Sequence, residues 1–215
     1  QTTSNVPEKT NLSKEIKSET TLAAPRCISQ QKEGLVSLRT VPINVRHKNK
    51  VIAVNALLDD ASSASYINEN LAYALGVSGQ HQKINIGTVG GKINTFHGRI
   101  IEIQIESIDG KFKAPIKALA VKNVVGDLDV VDWKNIHKQW SHLQGIDFPT
   151  YSKGRGVDIL IGANYPAIHQ TIREIVGGPN EPVARLTPLG WTCIGQTTRS
   201  PIKYGNTYFA RTYLS

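Results

Sequence analysis

Val51-Ile52-Ala53-Val54-Asn55-Ala56-Leu57-Leu58-Asp59-Asp60-Ala61-Ser62-Ser63 is the stretch that decides how the chain reads. Its first eight residues are apolar at every position but Asn55. Such a run reads as a strand covered on both faces, near the centre of a sheet. It then meets two carboxylates and three small residues without a break. A charge at the edge of a core is costly to desolvate, so its place there needs a reason.

Working outward, Val36, Leu38, Val41, Ile43 and Val45 give a strand-like alternation. His47-Lys48-Asn49-Lys50 is the polar turn into the quoted strand. After Tyr66-Ile67, Asn68 is placed to cap a short helix, Glu69 to Leu75, closed by Gly76. Ile84-Asn85-Ile86 leads into a glycine patch, Gly87-Thr88-Val89-Gly90-Gly91. Thr95 to Ile105 alternates, Asp109-Gly110 marks a hairpin turn, and Lys113 to Val121 returns. The middle of the chain therefore reads as a meander of β-hairpins. From about 122 to 156 the pattern is irregular; Asp127, Asp129 and Asp132 read as a solvated acidic loop, and the tryptophans as core. Val157 to Ile161 is another apolar strand, stopped by Gly162. A helix is predicted from about Pro166 to Val176, ended by Gly177-Gly178-Pro179, and final strands at Val183 to Leu186 and Trp191 to Ile194.

The chain has 215 residues, 40% hydrophobic and 20% charged, enough for one packed domain with extensions. Residues 1–34 are polar and read as a flexible N-terminal extension, residues 35–197 as the domain, and 198–215 as a segment of open membership. The sequence opens on Gln1 and contains no Met, which suggests a piece of a larger protein. A net charge of +8 permits weak attraction to nucleic acid, but no dense Lys/Arg stripe interleaved with aromatics supports it. Cys27 and Cys193 make neither a disulfide framework nor zinc spacing, so a reducing, cytoplasmic setting is expected. His137 and His142 lack a metalloprotease pattern, so no metal and no cofactor are expected. No run of eighteen apolar residues occurs, and no membrane partner is expected.

Aspartic proteolysis supplies a reason for a carboxylate at the end of a buried strand. Two carboxylates within hydrogen-bonding distance cannot both ionise, so they share one proton. The ionised one polarises a water and the protonated one donates to the scissile carbonyl. Small residues after the aspartate let the backbone approach. The sequence has one such aspartate, Asp59, so a single chain holds half a site and a two-fold homodimer completes it. Read alone, Asp59-Asp60 also fits a solvated turn. The patch from Gly87 to Gly91 likewise also fits an ordinary hairpin turn.

Leu57-Leu58-Asp59-Asp60-Ala61-Ser62 resembles the catalytic loop of the retropepsin superfamily: aspartate, then Ser or Thr, Gly, and a small residue. The stretch through Ser65-Tyr66-Ile67 resembles the version carried by BEL/Pao retrotransposon polyproteins. Ile159-Leu160-Ile161-Gly162-Ala163-Asn164 is similar to the signature packed behind that loop. Thr187-Pro188-Leu189-Gly190-Trp191, followed by Gly195, is similar to the BEL/Pao Leu-Gly-Trp ending. The matches run in the family's order over about residues 35 to 197. The resemblance implies an all-β, retropepsin-like (acid protease) closed barrel with one or two short helices and half a site per protomer. It implies an endopeptidase acting on an extended peptide or the element's own polyprotein. Asp59 would be catalytic, Asp60, Ala61 and Ser62 would support it, and Ile161 and Gly162 would pack behind. Gly87, Thr88, Val89, Gly90 and Gly91 would form a flap over the substrate.

Two positions depart from the superfamily pattern. Ala61 stands where glycine is usual, which suits the loop if its φ is negative. Asp60 stands in place of the hydroxyl that locks the dimer centre, as an acidic residue also does in the BEL/Pao variant. A carboxylate there must be protonated, turned outward or paired with a cation. The alternative function is a catalytically weak or inactive domain that serves as a dimerisation or peptide-binding module.

Overall fold

A computed structural model describes residues 35–87, 93–126, 128–152 and 156–198. The quoted apolar run is a strand, β3 (Lys50–Asp59), hairpinned to β2 (Thr40–His47) with Lys48 at φ 51° in the turn. A two-residue strand, β1 (Val36–Ser37), precedes them. After β3 come β4 (Tyr66–Asn68) and the helix α1 (Glu69–Leu75). Then follow β5 (Gln80–Gly87), β6 (Ile93–Ser107) and β7 (Lys113–Val121). The irregular region holds α2 (Trp133–Ile136) and two single-turn 3-10 helices. The chain ends with β8 (Val157–Gly162), α3 (Pro166–His169), β9 (Arg173–Ile175), β10 (Val183–Thr187) and β11 (Gly190–Gln196).

Six strands close a barrel in the order β2-β3-β8-β4-β7-β6, sealed by pairing of β6 back onto β2. The fold is therefore the all-β closed barrel that the resemblance implied, with three short α-helices among the described residues where one or two were expected. β5 hangs on the outer edge of β6 as one arm of a hairpin. Two pairings are parallel, β3 with β8 and β4 with β7. Side chains alternate across each strand, so Val41, Ile43, Val45, Ile101, Ile103 and Ile105 all turn into one core. The β3–β8 pairing brings Asp59 opposite Gly162, about a hundred residues away in the chain.

A second, four-stranded sheet runs β1-β11-β10-β9 and corrects two sequence readings. First, the alternation from Val36 to Val45 is not one strand: β1 joins this sheet while β2 joins the barrel. Second, the helix predicted from Pro166 to Val176 stops at His169. Gln170 leaves the helical region at φ −52°, ψ 130°, and the next residues pair with β10 as β9. Tertiary hydrogen bonding overrides weak helix propensity in the β-branched run Thr171-Ile172, Ile175-Val176.

Within the region from 122 to 156, residues 131–148 pack on this second sheet, while Val124, Val125, Leu128 and Val130 pack against Leu57, Ile84 and Leu119 of the larger sheet. Trp133, Trp140 and Phe148 are buried with Ala184 and Cys193 in their own cluster, and the free Cys193 thiol is sealed inside it. Asp129 and Asp132 are half-buried, so the segment is a packed cover and not a solvated acidic loop; Asp127 lies outside the described residues. The turn Thr187-Pro188-Leu189-Gly190 links the two cores. Leu189 enters the barrel core, and Gly190 takes φ 123°, a backbone region that L side chains rarely adopt. The extension 1–34 and residues 199–215 of the C-terminal segment lie outside the described residues.

Candidate active site

Asp59 is the last residue of β3 and is half-buried. Its Oδ1 accepts a hydrogen bond from the Ala61 N–H at 3.0 Å, and its carbonyl accepts from Ser62 N–H at 3.3 Å. Burial pushes the carboxyl above its ordinary value. The Ala61 N–H works against that shift, the nearby Asp60 charge adds to it, and His169 opposes it. A carboxyl that holds its proton more tightly than usual suits the protonated partner of an acid pair.

The loop after Asp59 is fixed from below. Ser62 is buried; its hydroxyl donates to the Ala64 carbonyl at 2.8 Å, and its own carbonyl accepts from Ala163 N–H at 2.8 Å. Gly162 N–H donates to the Ser65 hydroxyl at 3.0 Å, which donates in turn to Asn164 Oδ1 at 2.9 Å. Ile161 is fully buried in the barrel core. Gly162 has no room for a side chain: a β-carbon would lie 2.3 Å from the Ala64 carbonyl oxygen and 2.7 Å from that of Ser62. The loop and β8 thus touch backbone to backbone, which only glycine permits.

The two departing positions find physical answers. Lys48 is the one non-glycine residue with positive φ among the described residues, so Ala61 keeps an ordinary backbone and its exposed methyl is unstrained. The Asp60 side chain is 75% exposed, and its Oδ2 lies 3.7 Å from Nη1 of Arg39, whose side chain is 7% exposed. Asp60 is therefore both turned outward and paired with a cation.

The structure brings together Asp59, Asp60, Ala61, Ser62, Ile161 and Gly162. Gly87 ends the β5 arm opposite the exposed Ile93 of β6, while Thr88, Val89, Gly90 and Gly91 lie outside the described residues. Sequence reasoning missed Arg39 and His169. His169 donates its Nε2 proton to the Gly162 carbonyl at 3.0 Å, and its buried Nδ1 has no hydrogen-bond partner among the described residues. Burial holds its imidazole below the usual range, although the Gly162 bond opposes this. The signal for Arg39 was a change of phase: the apolar alternation falls on even positions up to Leu38 and on odd ones from Val41. No signal marked His169. Among the described residues no group of three His, Cys, Asp or Glu side chains converges to hold a metal.

Residues 40–178 match the model of a family described as "Putative peptidase (DUF1758)". Comparison with curated proteins and with solved structures found no match.

Proposed function

The chain belongs to the DUF1758 peptidase family, and on that premise we propose that it is an aspartic endopeptidase of retropepsin type. The observation that carries the reading is Asp59: a half-buried carboxyl, raised in pKa, at the end of a central barrel strand, on a loop seated against Gly162. One such carboxyl is half of a catalytic pair. A second copy about a two-fold axis supplies the other half and makes the working species a homodimer.

In that pair the two Asp59 carboxyls share a proton. The ionised one takes a proton from water as the water oxygen attacks the scissile carbonyl carbon. The protonated one gives its proton to the carbonyl oxygen, producing a tetrahedral diol. Collapse of the diol breaks the C–N bond: the amine nitrogen takes the pair's proton while a diol hydroxyl gives its own to the other carboxylate, so one shared proton remains. The β5–β6 hairpin is the proposed flap, with Gly87 to Gly91 offering backbone hydrogen bonds to an extended peptide. The resemblance to BEL/Pao elements makes a retrotransposon polyprotein the proposed substrate.

The test is incubation of the purified chain with a mixed peptide library between about pH 4 and 7, beside Asp59→Asn. Expected is cleavage that falls by at least about a hundredfold in the variant, the scale of one lost acid–base group. A folded, dimeric chain that cuts nothing at any pH would leave the alternative, a dimerisation or peptide-binding module.

A further inference from the structure

Arg39 touches the site from two sides. Its carbonyl accepts from Leu58 N–H at 2.9 Å, one residue before Asp59. Its guanidinium reaches Asp60 at 3.7 Å, one residue after Asp59. Nη2 donates to the His169 carbonyl at 3.5 Å, and Nε is buried with no hydrogen-bond partner among the described residues. A guanidinium with so few and such long contacts is an expensive thing to bury. Desolvation lowers its pKa, Asp60 opposes that, and Arg185 adds to it from the second sheet. Arg185 is itself paired with Glu174, and His169 is held toward its neutral form. Among the charged groups at this loop (Asp59, Asp60, His169, Arg185, Glu174), Asp60 is the carboxylate that the Arg39 guanidinium reaches.

We propose that Arg39 is a positioning residue for the Asp59 centre: it holds the Asp60 carboxylate outward and offsets part of its charge, which leaves Asp59 to carry the catalytic proton. The inference rests on the reading of Asp59 as catalytic. An unpaired Asp60 would repel the ionised form of Asp59 more strongly. In a two-fold dimer two such carboxylates would also repel each other near the axis. A hydroxyl at position 60 would put no charge beside Asp59; a carboxylate does, and Arg39 is placed to offset it.

The experiment compares wild type, Arg39→Gln and the double variant Arg39→Gln/Asp60→Ser by two readouts. The first is titration of the carboxyl carbons by 13C NMR, with folding checked by circular dichroism. Removing the cation is expected to raise the Asp59 midpoint, since the Asp60 charge beside it is then no longer offset. The second is the pH profile of cleavage. For Arg39→Gln the acid limb of kcat/KM is expected to move to higher pH, with kcat down about tenfold and KM within about twofold. Adding Asp60→Ser is expected to return kcat to within about threefold of wild type. If Arg39→Gln fails to fold, Arg39→Lys keeps the charge and is expected to keep the wild-type midpoints. An unchanged Asp59 midpoint in Arg39→Gln, a shifted one in Arg39→Lys, or a double variant no better than the single one would overturn the role of Arg39. The midpoints decide this whether or not any peptide is cut. Cleavage that survives Asp59→Asn would instead overturn the catalytic reading.

Discussion

Gly162→Ala places one methyl where the barrel has no space for it. The new carbon would lie 2.3 Å from the Ala64 carbonyl oxygen and 2.7 Å from that of Ser62. Such separations fall about 1 Å short of ordinary van der Waals contact. Neither side can retreat freely. On one side, β8 is held by the pairing of Gly162 with Asp59 and by its N–H bond to Ser65. On the other, the loop is held by the bond from Ala163 N–H to the Ser62 carbonyl and by the Ser62 hydroxyl on the Ala64 carbonyl. Overpacking of this kind costs about 1–3 kcal/mol, and each hydrogen bond lost in making room adds about 1 kcal/mol. The expected total is about 3–4 kcal/mol, a fall in Tm of roughly 10 °C for a domain of this size. Thermal unfolding followed by circular dichroism measures it. Gly110→Ala is the control: that glycine has φ 72° but nothing within 4 Å of the added carbon, so only the backbone preference is lost, about 1 kcal/mol. A Gly162→Ala protein that melts within about 2 °C of wild type, or above the Gly110→Ala control, would refute the claim that loop and β8 meet backbone to backbone.

Two further expectations concern the site and its cover. Because burial raises the Asp59 pKa above 3.8, the folded chain binds that proton more tightly than the unfolded one. The resulting stability is present below the unfolded pKa and lost as pH rises through the folded value. Asn at this position keeps the acceptor for the Ala61 N–H without the charge. Asp59→Asn is therefore expected to raise Tm at about pH 7, with the gain vanishing by about pH 3; a less stable variant at neutral pH would contradict the shift. Tyr151 follows the segment that covers the second sheet, and its buried hydroxyl donates to the Thr40 carbonyl at 3.0 Å. Tyr151→Phe is expected to cost about 1–2 kcal/mol in urea denaturation, and a cost under about 0.3 kcal/mol would show that this bond anchors nothing.

What could be read from the sequence followed how local the signals were. The α1 helix was legible to the residue because its signals are adjacent. Asn68 Oδ1 accepts from Asn70 N–H at 2.8 Å, and Gly76 closes the helix in the left-handed region at φ 71°. The return strand β7 was legible for the same reason, since Asp109-Gly110 sets the turn and Gly110 takes φ 72°. The β9 strand was not legible, because its neighbour β10 lies beyond an intervening turn and helix signals flank it on both sides. The proposed catalytic loop could be picked out because a charge ends an apolar run. Its supports could not, because Arg39 and His169 reach it through space, from about 20 residues before Asp59 and 110 after it.

The irregularities of this chain converge on one place, and that convergence bears on the choice between enzyme and inactive module. A carboxyl ends a central strand, a strand alternation breaks phase at a buried arginine, a glycine faces two carbonyls with no room to spare, and an imidazole nitrogen is buried without a partner among the described residues. Departures from local rules are expected to gather where function demands them. A module kept only for assembly has no use for an ionisable group at Asp59. Burial makes its charge a liability at neutral pH, and an asparagine would keep the same backbone bond at lower cost. The same holds for Arg39, since its charge has work to do only while Asp60 sits beside a carboxyl that must titrate alone. Features that each cost stability and act together on one proton favour chemistry over scaffolding.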